Sequence, residues 1–195
     1  MRIRTNRLPY GYKELEYIES TGTQYINFQF PSASNIDVTA NVLHTDGTNE
    51  QILWGEAGIQ FLYTITAGWK VWKQGVGNVG IGALGTQHTF TIKTTASGVE
   101  YYVDGVKNTS VSANLFTSSS ISGKEFNIGA RTTSGGADYF WKGKIYSVQI
   151  AVNGTLVRNF IPAKNSSNVA GLFDTVSGTF FTNDGTGTFV AGPDL

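Results

Sequence analysis

The sequence predicts an all-β protein in which two antiparallel sheets pack face to face. Apolar and polar residues alternate in about a dozen short runs, and none of comparable length shows the 3.6-residue period of an amphipathic helix. Successive side chains of a strand point to opposite faces, so a period of two is typical of half-buried strands. A dozen strands are too many for one flat sheet, which favours a sandwich.

The strongest alternation occurs in four segments. Their apolar positions share one parity within each run: Ile36, Val38, Ala40 and Val42; Phe90 and Ile92; Val99, Tyr101 and Val103; Tyr146, Val148, Ile150 and Val152. If the register follows this parity, Tyr146, Val148 and Ile150 are buried against the other sheet.

Turn dipeptides separate several of these runs. Asp104-Gly105, Asn153-Gly154 and Asp184-Gly185 each stand between two strand-like segments. Such pairs accept the positive φ angles of two-residue hairpin turns, so the sequence predicts three tight hairpins.

Composition excludes several classes of protein. Fourteen basic and fourteen acidic residues cancel, which argues against a nucleic-acid partner. There is no cysteine, hence no disulfide, thiol chemistry or zinc–cysteine site. No apolar run of about 18 residues occurs, so membrane insertion is not expected, and the N-terminal residues lack the apolar region of a signal peptide.

The chain is expected to form one domain over residues 11–195, preceded by an arm of residues 1–10. Arg2, Arg4 and Arg7 concentrate positive charge in this arm. They are either solvated or dock on an acidic partner.

Two long segments resemble a known family. "GVEYYVDGVKNTSV" and "EFNIGARTTSGGADYFWKGKIYSVQIAVNG" are similar to the laminin G-like, concanavalin A-like jelly roll, with Asp104-Gly105, Ile128-Gly129 and the aromatic-x-Gly-x-Ile motif from Trp141 in its characteristic places. The two ends of the chain resemble modules of bacteriophage tail and virion proteins and of gut-bacterial surface proteins. This fold hosts lectins, glycosidases, adhesins and spacers, so the resemblance implies the fold more strongly than the function.

Three carboxylates near the start of the chain raise the question of catalysis. "ELEYIE" places Glu14, Glu16 and Glu19 at the spacing that some laminarinase-like glycosidases of this fold use, with Glu16 in the place of an aspartate. Glu14 and Glu16 would share a strand face roughly 6–7 Å apart, a separation close to that of glycosidase carboxylates. The motif lies on the first strand rather than a central one, which favours the polar face of an edge strand and a non-catalytic protein.

Metal chemistry has little support in the sequence. Neither His44 nor His88 is near a nucleophile or a second histidine. Calcium is a minor hypothesis, because laminin G-like domains often hold it at a loop rim, and Asp46, Asn49, Glu50 and Asp138 supply oxygens in two loops. No other cofactor is expected.

Aromatic residues beside planar polar groups point to carbohydrate. Sugar rings stack their apolar faces on aromatic rings while their hydroxyls bond to polar side chains. The predicted ligand-binding residues are Arg131, Asp138, Tyr139 and Trp141 in one loop, with Trp69 and Trp72 as further platforms. The alternative is that these aromatic rings close the edge of the core.

Together these features predict a non-catalytic lectin-type module of a phage virion, in a tail fibre, baseplate or capsid decoration, that attaches to host-surface carbohydrate. It would act in many copies or as a homo-oligomer and contact other virion proteins through the arm. The alternative is a structural virion protein that binds only other particle proteins, and a glycoside hydrolase ranks third. The expected location is the virion, after synthesis in the host cytoplasm without a signal peptide, with the bacterial cell surface as the alternative.

Overall fold

The computed structural model describes residues 7–29, 35–56, 59–64, 68–73, 85–111, 125–133 and 136–195. Arg2 and Arg4, predicted to contact a partner, lie outside these residues. The described part contains strands and turns and no helix, and so no helix long and apolar enough to cross a membrane.

The described strands are short and follow one another closely. In chain order they are β1 (Tyr12–Glu14), β2 (Ile18–Thr21), β3 (Ile26–Gln29), β4 (Ile36–His44), β5 (Gln51–Glu56), β6 (Ile59–Thr64), β7 (Gly68–Lys73), β8 (Gln87–Thr95), β9 (Gly98–Val103), β10 (Val106–Val111), β11 (Glu125–Ile128), β12 (Arg131–Thr133), β13 (Gly136–Asp138), β14 (Lys142–Val152), β15 (Thr155–Asn165), β16 (Ala170–Asp174), β17 (Thr179–Phe181) and β18 (Val190–Ala191).

Two antiparallel sheets form the sandwich. The larger runs β10-β9-β8-β4-β14-β15-β16-β17, with β1 paired to β15 and with β2 joining β14 to β18. The smaller runs β3-β11-β5-β6-β7, and β12 and β13 form a separate hairpin. The predicted antiparallel two-sheet fold is therefore confirmed.

One hydrophobic core lies between the two sheets. On β4 the residues from Ile36 to His44 alternate between buried and half-buried without interruption, as the period of two predicts. Aromatic rings join the layers: Phe28 of the smaller sheet meets Phe160 of the larger one edge-on, with ring centroids 5.2 Å apart. Such edge-to-face pairs add about 0.5–1.5 kcal/mol to the burial of the rings themselves.

Two of the three predicted hairpins are present. Asp104-Gly105 joins β9 to β10 and Asn153-Gly154 joins β14 to β15, and all four residues have positive φ. The third prediction, at Asp184-Gly185, is wrong: the flanking strands pair with β16 and β2 rather than with each other. This segment instead runs beside β3, where Asp184 Oδ2 accepts a hydrogen bond from Asn27 N at 2.7 Å.

The prediction that Tyr146 is buried is also wrong. Val148 and Ile150 are 1% exposed, but a β-bulge interrupts the register between Ile145 and Ser147. One extra residue in a strand shifts the parity, so Ile145 faces the core and Tyr146 turns to the outer face, half-buried.

A second, smaller hydrophobic cluster lies apart from the main core. Leu8 packs there with Ala163 and Phe173, next to Tyr12 and Phe180. Leu8 belongs to the segment predicted to stand outside the sandwich, yet it is only 8% exposed. The residues just before β1 therefore pack on the domain, while the domain boundary at residue 10 stays a prediction.

Candidate functional site

The hairpin of β12 and β13 brings together three of the predicted ligand-binding residues. Its register places Arg131 opposite Asp138. The guanidinium donates two hydrogen bonds to the carboxylate, Nε to Oδ1 at 2.7 Å and Nη2 to Oδ2 at 2.5 Å. A bidentate pair of this kind fixes both planar groups in one orientation. Both side chains still reach solvent, with 26% of Arg131 and 41% of Asp138 exposed.

Tyr139 completes this surface, and its backbone is strained. The Arg131 Cζ atom lies 4.4 Å from the centroid of the Tyr139 ring, which is a cation–π contact. Tyr139 has φ of 49°, in the left-handed region that costs a bulky residue roughly 1–2 kcal/mol. Neighbouring hydrogen bonds hold it there, since Ile52 N donates to Tyr139 O at 2.8 Å. The residue stays 43% exposed.

Electrostatics reinforce this arrangement. The hydrogen bonds to Asp138 are the main cause that raises the pKa of Arg131, and the nearby Tyr139 and Glu50 add to the rise. Glu50 lies in the loop between β4 and β5, and no pattern in the sequence predicted that this loop approaches the hairpin. The pair therefore presents a fixed cation and anion beside an exposed aromatic ring.

The prediction that Trp141 contacts a ligand is wrong, because its indole is completely buried. It stacks on the His44 ring at 5.9 Å with 17° between the planes. Gly143 makes room for it: a Cβ at this position would lie 2.7 Å from the Trp141 ring and 2.2 Å from Leu43 O. The aromatic-x-Gly spacing that suggested the family thus serves burial of the tryptophan.

A network of polar side chains lies next to the buried Trp141. His44 Nε2 and Gln51 Oε1 are 2.9 Å apart, and Gln51 Oε1 accepts a second hydrogen bond from Lys142 N at 2.7 Å. Burial lowers the pKa of His44. Lys142 Nζ also donates to Asp46 Oδ2 at 2.6 Å, and with Thr48 this holds the pKa of Asp46 well below its usual range. The start of β14 is thereby tied to the β4–β5 loop.

Two of the four residues considered for calcium already have protein partners. Asp46 is bonded to Lys142 and Thr48, and Asp138 to Arg131. Among the residues that the structure describes, no three His, Cys, Asp or Glu side chains gather as metal ligands would. Calcium binding remains a prediction without a ligand set.

The other predicted contact residues lie elsewhere. Trp69 and Trp72 belong to β7, at the end of the smaller sheet, and their side chains fall outside the described part of the structure. Arg7 donates to a carboxylate of its own chain, with Nε 3.2 Å from Glu14 Oε2. Whether the arm contacts a partner is still a prediction.

Arg131, Asp138 and Tyr139 reach solvent at the surface of the hairpin. Two hollows, of about 550 Å³ beside Tyr10 and about 380 Å³ beside Tyr146, are lined by other residues. The aromatic ring and the paired planar groups favour the hairpin as the candidate contact surface. Binding residues lie disproportionately on loops that a rigid scaffold positions, which also favours the hairpin.

Comparisons with known proteins show the fold. A protein from Bacteroides ovatus described as a "putative carbohydrate binding protein" matches 93% of this chain with a TM-score of 0.70 and 13% identity. This chain spans 62% of that protein. A Trypanosoma rangeli sialidase mutant with trans-sialidase activity matches 80% of this chain and 28% of its own, with a TM-score of 0.51 and 13% identity. No protein-family model matches the chain, and no curated protein matches it in sequence.

Proposed function

We propose that this protein is a non-catalytic carbohydrate-binding module whose contact surface is the hairpin of β12 and β13. The observation that carries the proposal is the exposed ring of Tyr139 beside the bidentate Arg131–Asp138 pair. The similarity in fold to a protein described as carbohydrate-binding supports it.

The paired groups retain capacity for sugar hydroxyls. A guanidinium has five N–H donors and a carboxylate about four acceptor positions. The bidentate contact uses two of each. The remaining donors and acceptors lie in fixed planes beside the ring, so a sugar that stacks on Tyr139 can exchange hydrogen bonds with both groups. Strained backbone conformations cluster at functional sites, so the positive φ of Tyr139 supports a functional role for its ring.

One aromatic ring and one ion pair support only weak binding. Aromatic contacts contribute about 0.5–1.5 kcal/mol beyond burial. Linked copies raise avidity by roughly 10²–10⁴ without new contacts. We therefore propose that the module acts in many copies, and the resemblance of its ends to phage modules favours attachment of a virion to host-surface glycans.

The non-catalytic assignment is supported by the positions of the three early carboxylates. Glu14 closes β1 and is bonded to Arg7, Glu16 lies in the bend that follows, and Glu19 is on β2. They do not lie on one strand, as the carboxylates of those glycosidases do. The rival proposal is a structural spacer that docks on other proteins through its N-terminal arm. The packing of Leu8 on the domain supports it, because an arm that docks on a partner needs a fixed base.

The test is a glycan array probed with the monomer and with a multivalent display. Tyr139→Gly and Asp138→Asn should abolish binding at the hairpin while the proteins stay folded. Glu100→Gln is the matched control, because Glu100 also forms a surface ion pair, with Lys107. Binding should persist in EDTA if calcium is not needed. Absence of binding in multivalent form would favour the spacer, and binding retained by both hairpin variants would place the site elsewhere.

A further inference from the structure

The hollow beside Tyr146 forms where the larger sheet splits. β14 pairs with β2 through Ile145 and with β15 only from Val148 onward. The chain from β1 to β2 crosses this opening, and Leu15 N donates to Pro162 O at 3.0 Å. The result is a groove of about 380 Å³. This volume lies at the lower end of the range of small-molecule sites, about 300–1,000 Å³.

The bulge at Tyr146 gives this groove an aromatic wall. Bulges often re-aim a side chain next to a functional site. Here the bulge turns the Tyr146 ring out of the core, and the Tyr17 ring meets it edge-on with centroids 5.6 Å apart. Lys144 Nζ lies 4.1 Å from the centroid of Tyr17. The Tyr17 ring therefore packs on Tyr146, and Lys144 in turn packs on Tyr17.

The lining of the groove combines apolar and polar groups. It includes Leu15, Ile161 and Pro162 as the apolar part, and Ser147, Glu14 and Glu16 as the polar part. Leu15 and Pro162 are buried and Glu16 is exposed. Such a surface, with an aromatic wall and a few polar groups, can stack a sugar ring and bond its substituents.

The charges in and around the groove leave one carboxylate uncompensated. Glu14 is neutralised by Arg7. Lys144 and Glu19 are cross-strand partners on β14 and β2. Glu16 has no ion pair with any residue that the structure describes. Burial raises the pKa of Tyr146, the nearby Lys144 lowers it, and the charges of Glu16 and Glu19 add to the rise, as expected for carboxylates near this ring.

We propose that the groove between Tyr146 and Glu16 is a second saccharide site, selective for sugar rings that carry a protonated amine. The ring stacks on Tyr146, and the ammonium group forms a charge-assisted hydrogen bond with the Glu16 carboxylate. A neutral sugar leaves that carboxylate without a partner, and an N-acetylated one replaces the cation by a bulkier neutral amide. The proposal rests on the proposed function only for the chemical class of its ligand, because the two sites share no residue.

The experiment compares three disaccharides by NMR titration of the full chain: β-1,4-linked glucosamine, its N-acetylated form and cellobiose. Only the glucosamine form should shift the amides of Glu16, Tyr146 and Ser147. Glu16→Gln should weaken its binding about tenfold or more, the size expected for a hydrogen bond to a charged group. Tyr146→Ala should abolish it. Higher salt should weaken it in the parent protein.

The control variants separate the two sites. Tyr139→Gly should leave glucosamine binding at the groove intact, and Glu100→Gln should have no effect. Equal binding of the three disaccharides at the groove, or full binding by Glu16→Gln, would overturn the selectivity. Binding of glucosamine only after removal of residues 1–6 would assign the groove to the chain's own arm and overturn the proposal. If the groove binds and no glycan perturbs the hairpin, the proposed function fails while the groove site stands.

Discussion

The hairpin and the outer groove carry similar side chains on different supports. In the hairpin, Arg131 lies over an exposed tyrosine and satisfies its carboxylate, Asp138. In the groove region, Lys144 lies over Tyr17, and the carboxylate of Glu16 has no such partner among the described residues. The hairpin therefore presents a neutral pair suited to hydroxyl groups, whereas the groove presents an unbalanced negative charge suited to a cation.

The backbone structures that hold the two aromatic residues also differ. The hairpin depends on a strained tyrosine backbone held by loop contacts, but the groove depends on a bulge between hydrogen-bonded strands. One sandwich can thus expose an aromatic residue either at the end of a hairpin or at a β-bulge within a strand. Mutations are expected to affect the two supports differently.

The largest expected effect on stability comes from the buried Trp141. Trp141→Ala should lower the free energy of unfolding by about 3–5 kcal/mol, because it removes a fully buried indole and leaves a cavity. Urea unfolding at neutral pH measures this loss. Tyr139→Ala, two residues away and exposed, is the control and should cost far less. A small loss for Trp141→Ala would mean that the ring is not part of the core and would restore it as a ligand contact.

Tyr139 itself offers a test of strain. Glycine accepts positive φ without a steric penalty, so Tyr139→Gly should be more stable than Tyr139→Ala by about 1 kcal/mol. This reverses the usual order of alanine over glycine. Thermal unfolding of Tyr139→Gly and Tyr139→Ala, measured side by side, shows which variant is more stable. The normal order at position 139 would contradict the strained conformation.

Replacing Arg131 by lysine separates binding from stability. Lysine keeps the charge but cannot form the bidentate contact, so the unfolding free energy should fall by less than about 1 kcal/mol, as for other surface pairs. Sugar binding at the hairpin should be lost, whereas groove binding should not change. Calorimetric titration with a glycan identified by the array checks this. Unchanged hairpin binding by Arg131→Lys would show that the geometry of the fork is not needed.

The smallest effect concerns pH. His44 stacks on Trp141, and burial lowers its pKa below the ordinary 6.5. The unfolded chain then takes up a proton at a pH where the folded protein does not. Stability should fall as the pH decreases from about 6.5 toward the lower folded pKa. Melting temperatures at pH 7.5, 6.5 and 5.5 should show a weaker fall for His44→Gln, and identical profiles would remove His44 as the cause.

Much of the fold follows from local patterns in the sequence. The alternation on β4 and the Asp104-Gly105 and Asn153-Gly154 turns predicted strands and hairpins correctly, because each depends on neighbours in the chain. Tyr146 was misplaced because a bulge breaks the parity without a mark in the sequence. Asp184-Gly185 failed because contacts with β3 and the residues just before it, distant in the chain, override the local turn preference.

The candidate site was predictable only in part. Arg131, Asp138 and Tyr139 were found from composition, because planar charged groups and an aromatic ring lie within one short loop. Trp141 was misassigned, although the glycine two residues later makes room for a buried ring. The groove could not be predicted, since Glu16 and Tyr146 line one hollow only because strands far apart in sequence separate there.

The most direct test of the central claim is a map of where a sugar binds. A glycan that the array identifies should be titrated into ¹⁵N-labelled protein, with Tyr139→Gly titrated in parallel. The account predicts that the amides of Arg131, Asp138 and Tyr139 shift in the parent protein and that none shifts in the folded variant. Shifts confined to other residues, or unchanged shifts in Tyr139→Gly, would contradict the assignment of the hairpin as the binding surface.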